Sequence, residues 1–203
     1  MESIYICEKF NSDLDRRGKI YIALNLMTLA NIQKFHNERN IYWVDGLFGK
    51  LFCMFKGLKV KKKPGRELLR ILFNHCDEFV LFGNLSGSKS IDSRIKKHFP
   101  LKNYAIDVLK INFADVRDNI VVISLPSPLQ EELSKMICPS NSVFCIGGAL
   151  SMLANEKYIP PKLFSFLGIE FLWRLRFDTK RRAHRLITSF SQFFLNLRVL
   201  SKY

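Results

Sequence analysis

One carboxylate, Asp45, follows directly on an apolar stretch. Residues 41–44 (Ile-Tyr-Trp-Val) are typical of a buried strand, and Asp45 and Gly46 come immediately after them. Burial of an unpaired carboxylate at such a place costs several kcal/mol. Asp45 therefore either caps the following helix or takes part in a reaction, in which it accepts the proton of an attacking hydroxyl group.

A second stretch of interest combines a turn with an amide side chain. Ser127 and Pro128 predict a helix start, with Ser127 as the N-cap, Pro128 as the first helical residue and Gln130 three residues after the cap. Gln130 then either closes a capping box or, at a helix N-terminus that follows a strand, faces a phosphate or a sugar.

Positive charge is concentrated in two segments of a strongly basic chain. The chain carries 32 Lys and Arg against 18 Asp and Glu, a net charge of +14, which indicates nucleic acid, nucleotide phosphates or an acidic membrane surface as a partner. Residues 56–66 are either a solvated face or a contact for phosphates or membrane headgroups. Residues 174–185, with the Phe-rich stretch after them, are either an interfacial amphipathic segment or a helix docked on the core.

Several classes of site lack their sequence signals. The four His are scattered, and the pair Asp13 and Asp15 lies in a polar stretch that is expected to be a solvated loop. The five cysteines show no paired-ligand spacing: Cys7, Cys53, Cys76, Cys138 and Cys145. We therefore expect reduced thiols, a cytosolic setting, no metal site and no cofactor. We also expect no membrane-spanning segment, because no run of about 18 apolar residues is present.

Short β-rich segments alternate with segments of helical periodicity. The strand candidates are residues 19–25, 40–45, 78–84, 119–125 and 142–148, and the helix candidates include 26–39, 65–76 and 93–100. The strands are apolar on both faces, which predicts an α/β fold with a Rossmann-like, mostly parallel sheet and flanking helices. From residue 160 the strand signal ends. We therefore predict a core domain (1–159) and a basic, helical C-terminal appendage (160–203).

Ligands bind at the carboxyl ends of the strands in such a sheet. Asn25, Asp45, Gly83, Gly147 and Gly148 fall at these ends. The paired glycines indicate either a tight turn into a helix or a close approach of the backbone to a ligand.

The order of these motifs resembles the WecG/TagA/CpsF family of bacterial glycosyltransferases from about residue 19 to residue 187. The G-S-P-x-Q-E-like turn of the family matches residues 125–132, and its Gly-Gly-Ala strand end matches residues 147–149. Its G-L-E-W-L-x-R-L segment matches residues 168–176, its A-D-G motif matches residues 44–46, and an Asn near a strand end matches Asn25.

The resemblance implies an inverting, metal-independent transfer of a hexosyl or N-acetylhexosaminyl group from a UDP-sugar to a polyprenyl-diphosphate-linked saccharide, in the synthesis of bacterial surface or exopolysaccharide. It implies that Asp45 and Gln130 are the catalytic residues, with Asp45 as the base and Gln130 near the sugar or the acceptor. The substrate-binding residues it implies are Asn25, Lys62, Gly83, Gly147, Gly148, Arg174, Arg181 and Arg182.

The resemblance also implies a location. The protein would be peripheral on the cytoplasmic face of the bacterial plasma membrane, with its core binding the nucleotide sugar and its appendage meeting the anionic membrane surface. The expected partners are the UDP-sugar, the lipid-linked acceptor and the membrane, without nucleic acid. A homo-oligomer is compatible with the sequence.

Some residues depart from the family pattern. Ala23 replaces a Thr, Lys62 an Arg, Pro126 a Gly and Phe171 a Trp. These differences leave open a catalytically silent scaffold of a polysaccharide-assembly complex. The charge leaves open a basic nucleic-acid-binding protein, although no recognised binding motif is present.

Overall fold

The sheet is built from parallel strands only. The computed structural model describes residues 4–7, 17–75, 80–83, 120–137, 139–154, 159–167, 169–176, 179–196 and 200. Six strands occur in these residues: β1 (Tyr5–Ile6), β2 (Ile20–Leu24), β3 (Asn40–Val44), β4 (Val80–Gly83), β5 (Ile120–Ser124) and β6 (Ser142–Cys145). Their order is β1-β3-β2-β6-β5-β4, and every neighbouring pair is parallel. The predicted α/β sheet and its five predicted strands are confirmed.

The sequence pattern did not predict β1. It is two residues long and lies at the edge of the sheet, where it pairs only with β3 among the described strands. Two residues are too few to show an alternation of apolar and polar side chains, so no periodic signal marks the strand.

Helices flank both faces of the sheet. Those within the described residues are α1 (Leu26–Ala30), α2 (Ile32–Phe35), α3 (Gly46–Phe55), α4 (Gly65–His75), α5 (Leu129–Met136), α6 (Ala149–Ala154), α7 (Lys162–Leu167), α8 (Glu170–Leu175) and α9 (Thr179–Leu195). The helix predicted over 65–76 is confirmed as α4. The one predicted over 93–100 lies outside the described residues, as do Asp13 and Asp15.

The helical pattern of residues 26–39 is divided between α1 and α2. Asn31 separates them, with φ −123° and ψ 22°. Its side-chain Nδ2 donates to the carbonyl of Met27 at 3.0 Å. A short polar side chain that bonds to the local backbone competes with the helix, so the helix ends there.

Alternate residues of the central strands pack on opposite sides of the sheet. Two buried clusters result, one under α4 and α6 and the other under α1, α2 and α3. The first includes Tyr21, Ala23, Ile41, Trp43, Leu68 and Leu72, and the second includes Ile22, Leu24, Tyr42, Val44, Leu29 and Phe52. Burial on both faces explains why β2 and β3 are nearly continuous apolar runs.

The long helix α9 packs on the second of these sides. Asn196, just after α9, donates from Nδ2 to the carbonyl of Ala30 at 2.7 Å. The rings of Phe48 in α3 and Phe190 in α9 meet edge to face, with centroids 5.1 Å apart. One face of the helix is therefore docked on the core, next to the start of α1 and α3.

The opposite face of α9 carries exposed apolar side chains: Ile187, Phe194 and Leu195. The helix thus combines features of both alternatives that its sequence left open. In the part of the chain that the structure describes, none of the helices has the length and hydropathy needed to cross a membrane. The domain boundary at residue 160 stays a prediction.

Candidate active site

A cleft of about 290 Å³ opens where α1 and α3 begin and where α8 and α9 cover them. Its polar lining consists of Asn25, Asp45, Glu170, Arg185 and Ser189. Its apolar lining consists of Leu26, Met27, Leu47, Phe48, Phe171, Leu175 and Leu186. The cleft therefore offers charged and hydrogen-bonding groups beside a large apolar wall.

Asp45 stands at the end of β3, in the N-cap position of α3. Its side chain makes no capping hydrogen bond to that helix, so the capping alternative does not describe this carboxylate. The backbone N–H of Asp45 donates to the carbonyl of Leu24 at 3.2 Å. Gly46 has φ +76°, a value that a side chain would disfavour, and this explains the Asp-Gly pair.

Asn25 enters the same cleft from the neighbouring strand. Leu24 and Val44 are paired in the β2–β3 ladder, so Asn25 and Asp45 follow directly on partners in the sheet. The Asn25 Oδ1 caps α1 by accepting from the N–H groups of Met27 at 3.0 Å and Thr28 at 3.2 Å. This orientation leaves the amide NH₂ as the group that can donate to a ligand in the cleft.

Gln130 lies beside the cleft and is not part of its lining. Its Nε2 donates to Glu131 Oε1 at 2.9 Å and to Ser127 Oγ at 3.2 Å. Its Oε1 accepts from the backbone N–H of Gly147 at 2.8 Å. The amide therefore connects the start of α5 with the turn between β6 and α6.

The prediction of Ser127 as the N-cap is wrong, and the capping-box alternative for Gln130 falls with it. Helix α5 begins at Leu129, with Pro128 in the N-cap position and no side-chain capping bond. The Ser127 hydroxyl donates instead to the carboxylate of Glu131 at 2.6 Å. The helix begins one residue later than the pattern predicted, so Ser127 lies one position before the N-cap and bonds to side chains of the first turn.

Two charged residues of the cleft were not among the predicted site residues. Arg185 of α9 lines the cleft, and its Nη2 donates to the carbonyl of Ser127 at 3.1 Å. Glu170, the first residue of α8, adds a second carboxylate. The signal for Arg185 was its place one helical turn after Arg181, since residues four apart share a helix face.

The chain also matches a known protein family. The model of the glycosyl transferase WecG/TagA/CpsF family matches residues 20–202. This chain belongs to that family. Membership implies a sugar donor, a sugar acceptor and a role in the synthesis of cell-surface polysaccharide. A comparison with individual curated proteins found no match.

Three further predicted site residues are not part of the cleft lining: Gly83, Gly147 and Gly148. Gly83 ends β4, and β5 and β6 separate β4 from β2, a span of about 14 Å at the usual strand spacing. Gly147 and Gly148 form the turn that Gln130 holds. Arg174 belongs to α8 and Arg181 and Arg182 to α9, and the positions of these three side chains lie outside the described part of the structure.

The basic segment before α4 contacts the appendage. Lys62 Nζ donates to the carbonyl of Ser165 in α7. Arg66 in α4 donates to Glu170 at 2.8 Å and to the Ser165 hydroxyl at 3.1 Å. The segment therefore holds α7 and α8, and through Glu170 it supports one wall of the cleft.

No set of metal ligands is assembled in the described ranges, where no three His, Cys, Asp or Glu side chains converge on one point.

We expect the Arg66–Glu170 ion pair to hold α8 against the core. Its side chains are 13% and 12% exposed, so loss of either partner leaves a largely buried charge. Arg66→Met and Glu170→Gln should each lower the free energy of unfolding by about 2–3 kcal/mol, and a double-mutant cycle should give a coupling energy of about 1–3 kcal/mol. Chemical denaturation measures both quantities.

The chain contains a matched control for this cycle. Lys34 and Glu132 also lie 2.8 Å apart, but their side chains are 60% and 48% exposed. An exposed pair should couple by no more than about 0.5 kcal/mol. Equal coupling energies in the two cycles would show that Arg66 and Glu170 do not act as a buried pair.

Proposed function

We propose that this protein is an inverting, metal-independent glycosyltransferase that moves a hexosyl or N-acetylhexosaminyl group from a UDP-sugar to a polyprenyl-diphosphate-linked saccharide. The observation that carries the proposal is the Asp45 carboxylate. It lies in the cleft at a strand end and makes no capping bond to the helix behind it. The matching family supplies the reaction class.

In the proposed reaction, Asp45 takes the proton of an acceptor hydroxyl. The acceptor oxygen attacks C1 of the donor sugar while the bond between C1 and the UDP oxygen breaks, so the configuration at C1 inverts. A sugar hydroxyl is a weak nucleophile, and a carboxylate within hydrogen-bond reach raises its reactivity. Asn25 can donate from its amide to a hydroxyl or phosphate oxygen beside Asp45.

The departing diphosphate requires positive charge. Arg185 supplies a guanidinium in the cleft itself, and Arg174, Arg181 and Arg182 belong to the two helices that cover it. Cations and backbone N–H groups that are already in place stabilise a developing charge without reorganising at the moment of reaction. We also propose a substrate-binding role for Lys62 from its family position, although its Nζ donates to the Ser165 carbonyl in this structure.

The lipid-linked acceptor and the membrane surface belong to the same proposal. Apolar side chains line one part of the cleft, and the outer face of α9 carries exposed Ile187, Phe194 and Leu195. A net charge of +14 favours anionic lipids. We propose that the protein works on the cytoplasmic face of the bacterial plasma membrane.

Calorimetric titration with UDP tests the proposal most directly. UDP should bind in the absence of magnesium, and AMP, the control nucleotide, should bind at least about tenfold more weakly, because the site should select the uracil base and the diphosphate. The titrations should be run in solution and with vesicles of anionic phospholipid, so that a site completed only at the membrane is also detected.

Each outcome separates the proposal from its rivals. No UDP binding in either setting would contradict it. UDP binding without transfer from any UDP-sugar to a lipid-linked acceptor would favour the silent scaffold instead. Binding to RNA that falls steeply with salt, without UDP binding, would favour a nucleic-acid-binding protein.

A further inference from the structure

A buried carboxylate next to the cleft belongs to no step of the proposed reaction. Glu131 lies in the first turn of α5 and is 1% exposed. Its Oε1 accepts from Ser127 Oγ at 2.6 Å and from Gln130 Nε2 at 2.9 Å. Among the described residues, no cation pairs with it and its Oε2 has no hydrogen-bond partner. Burying a carboxylate is costly, and the two donors and the positive end of the α5 dipole only partly offset that cost.

We propose that Glu131 is a positioning residue that sets the orientation of the Gln130 amide and of the Ser127 turn, and through them the positions of Gly147 and of Arg185, which lines the cleft. The effect on donor binding rests on the proposed function. The effect on the orientation of Gln130 and on Gly147 does not depend on the proposed function.

The first branch runs from Glu131 to Gly147. An ionised carboxylate can only accept hydrogen bonds, so it selects the NH₂ end of the Gln130 amide. The carbonyl end must then face Gly147, whose N–H donates to it at 2.8 Å. The Gly147 carbonyl accepts from Ser124 Oγ at 2.7 Å. The N–H and the C=O of Gly147, whose φ is +56°, are therefore both held by hydrogen bonds.

The second branch runs from Glu131 to the cleft wall. Ser127 donates its hydroxyl to Glu131 and accepts the guanidinium of Arg185 at its carbonyl, at 3.1 Å. Arg185 lines the cleft. Through these hydrogen bonds Glu131 positions both the turn after β6 and the Ser127 carbonyl that binds Arg185. In this scheme Gln130, predicted from the sequence as catalytic, acts through Gly147 as a positioning residue.

Cys145 lies in the same network. Its Sγ donates to the carbonyl of Gln130 at 3.7 Å. Burial, and next to it the charge of Glu131, raise the pKa of the Cys145 thiol well above its usual value. The thiol therefore stays protonated and can donate its hydrogen to the Gln130 carbonyl.

The test compares Glu131→Gln with Glu132→Gln. The first variant is isosteric, and its new amide can donate or accept, so it no longer dictates the orientation of Gln130. The second changes the neighbouring, exposed carboxylate of the same helical turn. Hydrogen exchange of the Gly147 amide, followed by NMR without ligand, should become about tenfold faster in Glu131→Gln and stay within about twofold in Glu132→Gln.

Donor binding supplies the second readout. Because Glu131 acts through Gly147 and Arg185, Glu131→Gln should raise the Kd for UDP about tenfold, and Glu132→Gln should leave it within about twofold. A role limited to global stability would lower Tm and speed exchange of the most protected core amides by the same factor as that of Gly147. Unchanged exchange at Gly147, or an equal increase at Gly147 and at core amides far from Glu131, would therefore overturn the proposal.

The wild-type protein gives a check that does not depend on the folding of a variant. In the proposed arrangement the Gln130 NH₂ protons face Glu131 and Ser127. A strong nuclear Overhauser effect between those protons and the Gly147 amide proton would show the reverse orientation and would overturn the proposal. Faster exchange in Glu131→Gln, in a protein that binds no UDP, would support the positioning role and count only against the proposed function.

Discussion

Asp45→Asn should keep the fold and lower turnover by about 10²–10⁴-fold, the usual contribution of a general base. The amide has the shape of the carboxylate but cannot take a proton from the acceptor hydroxyl. Asp45 makes no capping bond to α3, so the helix should not lose stability through a lost cap. Initial rates with a UDP-sugar and a lipid-linked acceptor measure the effect, and circular dichroism and thermal unfolding verify the fold.

The matched control is Glu67→Gln, which neutralises an exposed carboxylate in the first turn of α4, away from the cleft. Its turnover should stay within about twofold of the wild type, as expected for a surface substitution. Asp45→Asn should also keep its affinity for UDP, because the proposed role concerns the acceptor. Wild-type turnover in Asp45→Asn would remove this residue from the mechanism.

Gly49→Ala should destabilise the protein by about 3 kcal/mol or more, because it places a methyl group against rigid backbone. A Cβ at Gly49 would lie 1.9 Å from the carbonyl oxygen of Leu24, and neither partner can rotate away. That oxygen also accepts the N–H of Asp45, so the shift should reach Asn25 and Asp45. We expect Tm to fall by about 6–12 °C and UDP affinity to fall with it.

Gly57→Ala separates the clash from the loss of a glycine. Gly57 follows the same helix, has φ +71°, and a Cβ there would meet nothing within 4 Å. Only the left-handed backbone should oppose the methyl group, at about 1–2 kcal/mol. Equal losses in the two variants would mean that the close contact of α3 with Leu24 does not determine stability.

The sequence predicted the elements that follow from local rules. Apolar runs such as 41–44 mark strands buried on both faces, and a strand end followed by Asp45 and Gly46 marks a turn into a helix. The position of Asn25 and Asp45 at the same edge follows from the parallel arrangement. That Asn25 and Asp45 are adjacent does not follow from the parallel arrangement, because it requires β2 and β3 to be neighbours in the sheet.

The contacts that complete the cleft were not predictable in this way. Glu170 and Arg185 lie more than a hundred residues after Asp45, and only the docking of α8 and α9 brings them together. At Ser127 the pattern was misleading, because the helix begins one residue later and Ser127 bonds to the side chains of Glu131 and Gln130 instead of capping it. Local sequence signals describe neighbours along the chain, whereas a buried acceptor acts on whatever the fold places beside it.

The position of α8 and α9 along the chain also has a consequence for synthesis. All six strands of the described sheet precede residue 146, and the helices that cover Asp45 come later. During translation the sheet can therefore form with the edge that carries Asp45 still open. In the proposed mechanism, a nascent chain would expose Asp45 before Arg185 reaches the cleft, so activity would begin only when the last helix docks.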